Sequence, residues 1–231
     1  MYMDKSLPIK EYTRHEAVWQ GVAMNKLVFA SLVGVVVLVV SAPVSAASQS
    51  AAITDPVGDA ALGASPVPDY QDIVAASVSE KGHAFTFSME LAAAVPDTPS
   101  LTPDGVKLNI WVWPLTTDLD FSARGDPLPP GLSFNNQFDV RLHWDGTTFS
   151  AFLLDRRPLA TGGEAVFAAV PFSITGAEIR VFVDAAAIGN PMSFFWFAFT
   201  ADWLSPHFET GGFHILDFAS PPDGLYATWP S

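Results

Sequence analysis

Phe85-Thr86-Phe87-Ser88-Met89-Glu90-Leu91 decides the fold. Large apolar side chains stand at every second position, with small or polar ones between. Side chains of a strand point to opposite faces in turn, so this is a strand with one buried face. Ile73 to Ser79 reads as the strand before it, and Glu80-Lys81-Gly82-His83 as the turn that makes the two a hairpin.

The same period runs on. Val106, Leu108, Ile110 and Val112 alternate with Lys107, Asn109, Trp111 and Trp113. Phe138, Val140, Leu142 and Trp144 alternate with Asp139, Arg141 and His143, and Asp145-Gly146 is a strong hairpin signal ahead of Phe149 to Leu154. Val166 to Phe172, Ile179 to Val183, Phe194 to Thr200, Phe213 to Phe218 and Tyr226 to Trp229 add further strands. Phe194 to Thr200, apolar on both faces, reads as central. Ala185 to Gly189 reads as one helical turn closed by glycine. There is no long amphipathic helix and no internal repeat. The expected fold is all-β: a single antiparallel β-sandwich of about nine or ten strands, jelly-roll-like ahead of immunoglobulin-like.

At the other end, Leu27 to Val40 holds no charge and follows Met24-Asn25-Lys26. Ser41-Ala42-Pro43-Val44-Ser45-Ala46-Ala47 supplies the small residues of a cleavage site. Residues 1–46 read as a signal-peptide region with Met24 as the better start, and residues 47–231 as the β-sandwich domain. Cleavage is expected after Ala46 or Ala47. The alternative is an uncleaved anchor, although the run falls short of the roughly 20 residues of a span. The expected location is secreted, periplasmic or extracellular, in a bacterium, without stable membrane insertion after cleavage.

The chain carries 11 basic and 24 acidic residues, a net charge of −13. Residues 1–46 hold four of the basic and three of the acidic ones, which leaves 7 and 21, or −14, on the remainder. Such a surface repels nucleic acid and anionic lipid and tolerates cations. With no cysteine there is no thiolate metal site, no cysteine nucleophile and no disulfide. The 18 Phe and 7 Trp argue for a folded, aromatic-rich core.

Chemistry concentrates in one loop. Asp55-Pro56-Val57-Gly58-Asp59 is followed by Asp69-Tyr70-Gln71-Asp72. Calcium takes six to eight oxygens at about 2.3–2.6 Å, and Asp55, Asp59, Asp69 and Asp72 supply carboxylates at a spacing unlike an EF-hand. The alternative is turn and cap chemistry, which uses the same residues.

Asp55, Pro56, Gly58, Asp59, Asp72, Ile73, Val78, Gly82, Phe87 and Leu91 together resemble the start of secreted β-sandwich modules related to carbohydrate-binding module family nine. They are also similar to the C-terminal domain of glucodextranase-type enzymes. Asp217-Phe218-Ala219-Ser220-Pro221-Pro222-Asp223-Gly224 resembles the ending of many bacterial secreted sandwiches. The resemblance covers the two ends of the domain. It implies a β-sandwich with calcium as cofactor at the N-terminal loop and, in several relatives, sugar binding without catalysis. The two sugar-binding aromatic residues of family nine do not align onto this chain.

Three surfaces remain. Trp111 and Trp113, with Asn109, form a glycan platform if Val106 to Val112 face the core; otherwise they pack under a neighbouring loop or sheet. His207, Glu209, His214 and Asp217 form a loose polar cluster around Gly211-Gly212, with metal or acid–base chemistry set against a plain polar hairpin. Asp118, Asp120 and Asp126 lie in a loop that could serve a glycosidase or a second cation, or be merely solvated. No serine-hydrolase elbow, phosphate loop or zinc-protease motif occurs. The expected function is a secreted, non-catalytic, calcium-stabilised module with a glycan or polysaccharide as partner. The alternatives are a hydrolase or lyase using loop carboxylates, and an envelope-associated structural or protein-binding domain.

Overall fold

Gly82 permits the tightest turn of the first hairpin. Its φ of +68° is a conformation that glycine adopts without strain. It joins β2 (Ile73–Lys81) to β3 (Ala84–Leu91), with Lys81 opposite Ala84. The computed structural model describes residues 49–60, 67–101, 106–117, 136–204, 213–222 and 226–230. The expected signal-peptide region lies outside the described residues. No helix among those described is long and apolar enough to cross a membrane.

The remaining strands are β1 (Gln49–Thr54), β4 (Leu108–Thr116), β5 (Phe138–Trp144), β6 (Phe149–Asp155), β7 (Val166–Ala169), β8 (Phe172–Thr175) and β9 (Glu178–Asp184). They are followed by β10 (Phe194–Trp196), β11 (Ala198–Trp203), β12 (Phe213–Ala219) and β13 (Ala227–Trp229). Among the described residues only short 3-10 turns interrupt them. One sheet runs β1-β2-β3-β9-β8. The other runs β12-β11-β4-β5-β6-β7, with β10 joining β4 to β13. All pairings are antiparallel. The protein is an all-β sandwich, as the alternation predicts.

The inter-sheet core is aromatic. Phe85, Phe194 and Trp229 meet with ring centroids 4.7–5.4 Å apart, although they come from β3, β10 and β13. Each such side chain contributes roughly 1.5–3 kcal/mol by leaving water. A smaller apolar cluster forms where Leu108, Ile110 and Val112 of β4 meet Ala201 and Trp203 of β11.

Four local expectations change. Ala47 to Ile53 reads as a lead-in, but residues 49–54 form β1, whose Ala51 and Ile53 enter the core. Val166 to Phe172 divides at Pro171 into strands of different sheets. Phe194 to Thr200 divides at Phe197 into β10 and β11, and each half keeps a strand on both sides, β13 and β4 for β10, β12 and β4 for β11. The Asp145-Gly146 hairpin spans four residues, with the Asp145 carboxylate accepting from the Thr147 and Thr148 amides. Ala185 to Ile188 does form a turn, capped by the Asp184 carboxylate and closed by Gly189 at φ +85°.

Candidate metal centre

Asp55 follows the last residue of β1, and its amide extends that pairing by donating to the Val74 carbonyl at 2.8 Å. Pro56 and Val57 then lead to Gly58, at φ +87°. The turn returns the chain toward β2, where the Gly58 amide donates to Asp72 Oδ2 at 2.7 Å. This bond holds the loop and turns Asp59 back toward Asp55.

Asp72 is placed from below. It closes a 3-10 turn over Asp69–Gln71. The Gln71 amide group donates to Asp202 at 3.1 Å, the Gln71 carbonyl accepts from Thr200 at 2.6 Å, and the Trp111 indole donates to the Tyr70 carbonyl at 3.2 Å. The turn is thereby docked on β4 and β11.

The third carboxylate comes from the far end of the chain. Asp217 on β12 accepts from the Ile73 amide at 2.5 Å and from the Phe218 amide at 2.8 Å. One oxygen each of Asp55, Asp59 and Asp217 lie within 4.8 Å of one another. Opposite oxygens around a calcium ion stand up to about 5 Å apart at its usual bond lengths, so one ion can be shared by all three. Asp217 is buried, Asp55 half-buried and Asp59 exposed, which leaves a route for an ion.

The electrostatics are unfavourable without a cation. Burial, followed by the charges of Asp217, Asp59 and Asp72, raises the Asp55 pKa to about 7. Burial raises that of Asp217 as well, against the two amides that bond its charged form. Asp55 Oδ2 and Asp72 Oδ1 are buried with no hydrogen-bond partner. Buried polar oxygens are normally satisfied, and a cation would satisfy both kinds of defect at once.

Of the four carboxylates read from the sequence, Asp55 and Asp59 meet and Asp72 adjoins them. Asp69 does not take part: its side chain is exposed, while its carbonyl accepts from the amides of Asp72 and Ala93. Asp217 replaces it. The C-terminal Asp-Phe-Ala stretch was the available signal, but its distance along the chain hides the meeting.

The tryptophan platform is overturned. Trp111 and Trp113 are both 0% exposed and belong to the inter-sheet core. The Trp113 indole donates across the sandwich to the Ser88 carbonyl at 3.2 Å. Asn109 is 1% exposed and donates to the Ser100 carbonyl. The register explains the inversion. Trp111 pairs with Leu142 and Trp113 with Val140, so the indoles share the apolar face of β5. Ile110 and Val112 face the opposite way, beside His143 and Arg141.

Of the polar hairpin cluster, Asp217 joins the acidic cluster with Asp55 and Asp59, His214 is exposed, and His207 and Glu209 lie outside the described residues. Asp118, Asp120 and Asp126 lie outside them too. A groove of about 400 Å³ is bordered by Thr117, Arg157, Ile188, Gly189, Pro191, Met192 and Ser193. Arg157 there is committed to Asp155 through a two-pronged ion pair, so the described lining of the groove presents no acid–base pair.

No family model, no curated protein and no solved structure matches the chain. The chemistry of the site therefore rests on its own geometry.

A pH dependence follows for the cation-free protein. The folded pKa of Asp55, about 7, lies above the ordinary 3.8. The folded state thus binds the extra proton, and this stabilising contribution is lost as pH rises from about 4 through 7. In chelator, the melting temperature of Asp55→Asn is expected to fall less between pH 5 and pH 8 than that of the parent. Equal falls would count against the strained cluster.

Proposed function

We propose that residues 47–231 act outside the cytoplasm as a non-catalytic β-sandwich module clamped by calcium. Asp55, Asp59 and Asp217 are its carboxylate ligands, with Asp72 beside them. The observation that carries the reading is the convergence of these acids around two buried, unpartnered oxygens. Sequence likeness to family-nine modules and the acidic composition agree with it. The ion would tie the loop after β1 to β12, and so fasten the first strand of one sheet to an edge strand of the other. A glycan is the ligand class that the likeness implies. With Trp111 and Trp113 inside the core, no residue of this chain is assigned to that role. Catalysis is not favoured, because the clustered carboxylates do not border the groove at Thr117 and Arg157.

The test is thermal unfolding with calcium and with chelator. A ligand that binds only the folded state at 100 times its Kd contributes about 2.7 kcal/mol, or roughly 5–10 °C in a domain of this size. Asp217→Asn is expected to abolish the calcium response, and Asp69→Asn to keep it. A melting temperature indifferent to calcium in the parent protein would sink the clamp. Loss of the response in Asp69→Asn but not in Asp217→Asn would restore the ligand set read from the sequence.

A further inference from the structure

Two irregularities of strand pairing meet at the acidic cluster. On β2, Ile73 stands opposite Leu91 of β3 and Ala75 opposite Glu90, so Val74 is an extra residue. On β12, Asp217 stands opposite Thr200 of β11 and Ile215 opposite Ala201, so Leu216 is extra. Such bulges re-aim side chains and are frequent beside functional sites. The Val74 carbonyl accepts from the Asp55 amide at 2.8 Å. Thr200 and Asp217, being directly opposite, share a face of their sheet.

From that face the two side chains grip the chain on either side of Asp72. The Thr200 hydroxyl donates to the Gln71 carbonyl at 2.6 Å, and the Asp217 carboxylate accepts from the Ile73 amide at 2.5 Å. The Gln71 side chain is held as well, by Asp202 at 3.1 Å. Thr200 is 0% and Asp72 4% exposed. Asp72 in turn holds the loop. Its Oδ2 accepts from the Gly58 amide, and its Oδ1 is buried without a hydrogen-bond partner. Its charge bears on both Asp55 and Asp217. A path of short bonds thus runs from Thr200 through Gln71 and Asp72 to the turn that carries Asp55 and Asp59. Thr200 is not itself among the converging carboxylates.

We infer that Thr200 is a positioning residue of the cation site: it fixes the segment that carries Asp72, and so sets how tightly Asp55, Asp59 and Asp217 hold calcium, without being a ligand. The inference rests on the calcium reading above. Like charges drive the carboxylates apart until an ion arrives, so the frame has to be held against their repulsion. A hydroxyl does this without adding charge. Groups that hydrogen-bond behind the ligands of a metal orient them, and losing one typically weakens binding by about 10–100-fold.

The test is calorimetric titration of the metal-stripped protein with calcium chloride, at a temperature where melting curves show every variant folded. Thr200→Val keeps the shape of the side chain and removes the hydroxyl, and its Kd should rise about tenfold or more. Thr200→Ser keeps the hydroxyl and should bind nearly as the parent does. Trp113→Phe also loses one buried hydrogen bond, to Ser88, and should keep the parent Kd. A parent that takes up no calcium sinks the calcium reading and the inference with it. A parent that binds calcium, with an unchanged Kd in Thr200→Val, overturns the inference alone. So does a Trp113→Phe protein weakened as much as Thr200→Val, since the loss would then follow general stability.

Discussion

Trp113→Ala is expected to lower the unfolding free energy by about 3–5 kcal/mol, the usual cost of truncating a fully buried large aromatic side chain. Whole-domain stability is about 5–15 kcal/mol, so the variant stands near the folding threshold. Two losses combine. The indole leaves a cavity between the sheets, where it packs against Phe87 at 6.4 Å between centroids. Its hydrogen bond to the Ser88 carbonyl also goes, and that bond runs from the larger sheet to the smaller. Trp113→Phe keeps most of the packing and loses only the bond, at about 1 kcal/mol. Lys107→Ala, exposed just ahead of β4, should stay within about 0.5 kcal/mol. Urea unfolding of the three variants measures the series. A Trp113→Ala protein as stable as the parent would put the side chain back on the surface, where a glycan platform needs it.

The second large effect is acid sensitivity centred on His143. Burial, followed by the Arg141 charge, lowers its pKa from 6.5 to about 3. The side chain lies on β5 beside Arg141, with its ring 5.4 Å from that of Phe152. The unfolded chain takes up a proton near pH 6.5 and the folded state resists it. The stabilising contribution is therefore complete above about pH 6.5 and is lost as pH falls toward 3. At pH 4 the loss is on the order of 3 kcal/mol, from 1.36 kcal/mol per unit of displacement. His143→Gln cannot take up this proton. Between pH 7.5 and pH 4 the parent should lose about 3 kcal/mol more than the variant in urea unfolding. Asp55, Asp202 and Asp217, whose pKa values are raised, act in the opposite direction but equally in both proteins. They cancel in the difference. Equal losses would mean that the imidazole is protonated in the folded state.

The strands themselves were legible because strand formation is a local matter. Phe85 to Leu91 and Phe138 to Trp144 alternate cleanly, and a two-residue period has one reading. Legibility failed where both parities are apolar. On β4, Ile110 and Val112 compete with Trp111 and Trp113 for the interior, and all four are fully buried. The clean alternation of the partner β5 could have resolved the choice, but only once the register was known. β1 was missed because small residues, Ser50, Ala51 and Ala52, give a weak pattern. They form a strand because β2 offers them a template.

The acidic loop divides in the same way. Its composition called for a cation, and its proline and glycine called for a turn. The members of the cluster were another matter. Asp217 bonds the amide of Ile73 across 144 positions of sequence, and strand order brings it there when β12 takes the edge of the larger sheet. Asp69, only three residues from Asp72, points to solvent because its 3-10 turn is docked through Gln71 and Tyr70.

By itself the sequence determined the periodic strands, the apolar and acidic balance, and the concentration of carboxylates around the loop that follows Thr54. These depend on neighbours a few residues apart. The tertiary structure alone decided which face of β4 meets the other sheet and which carboxylates converge. Each of these depends on strand order and register, where a shift of one residue exchanges the two faces of a strand.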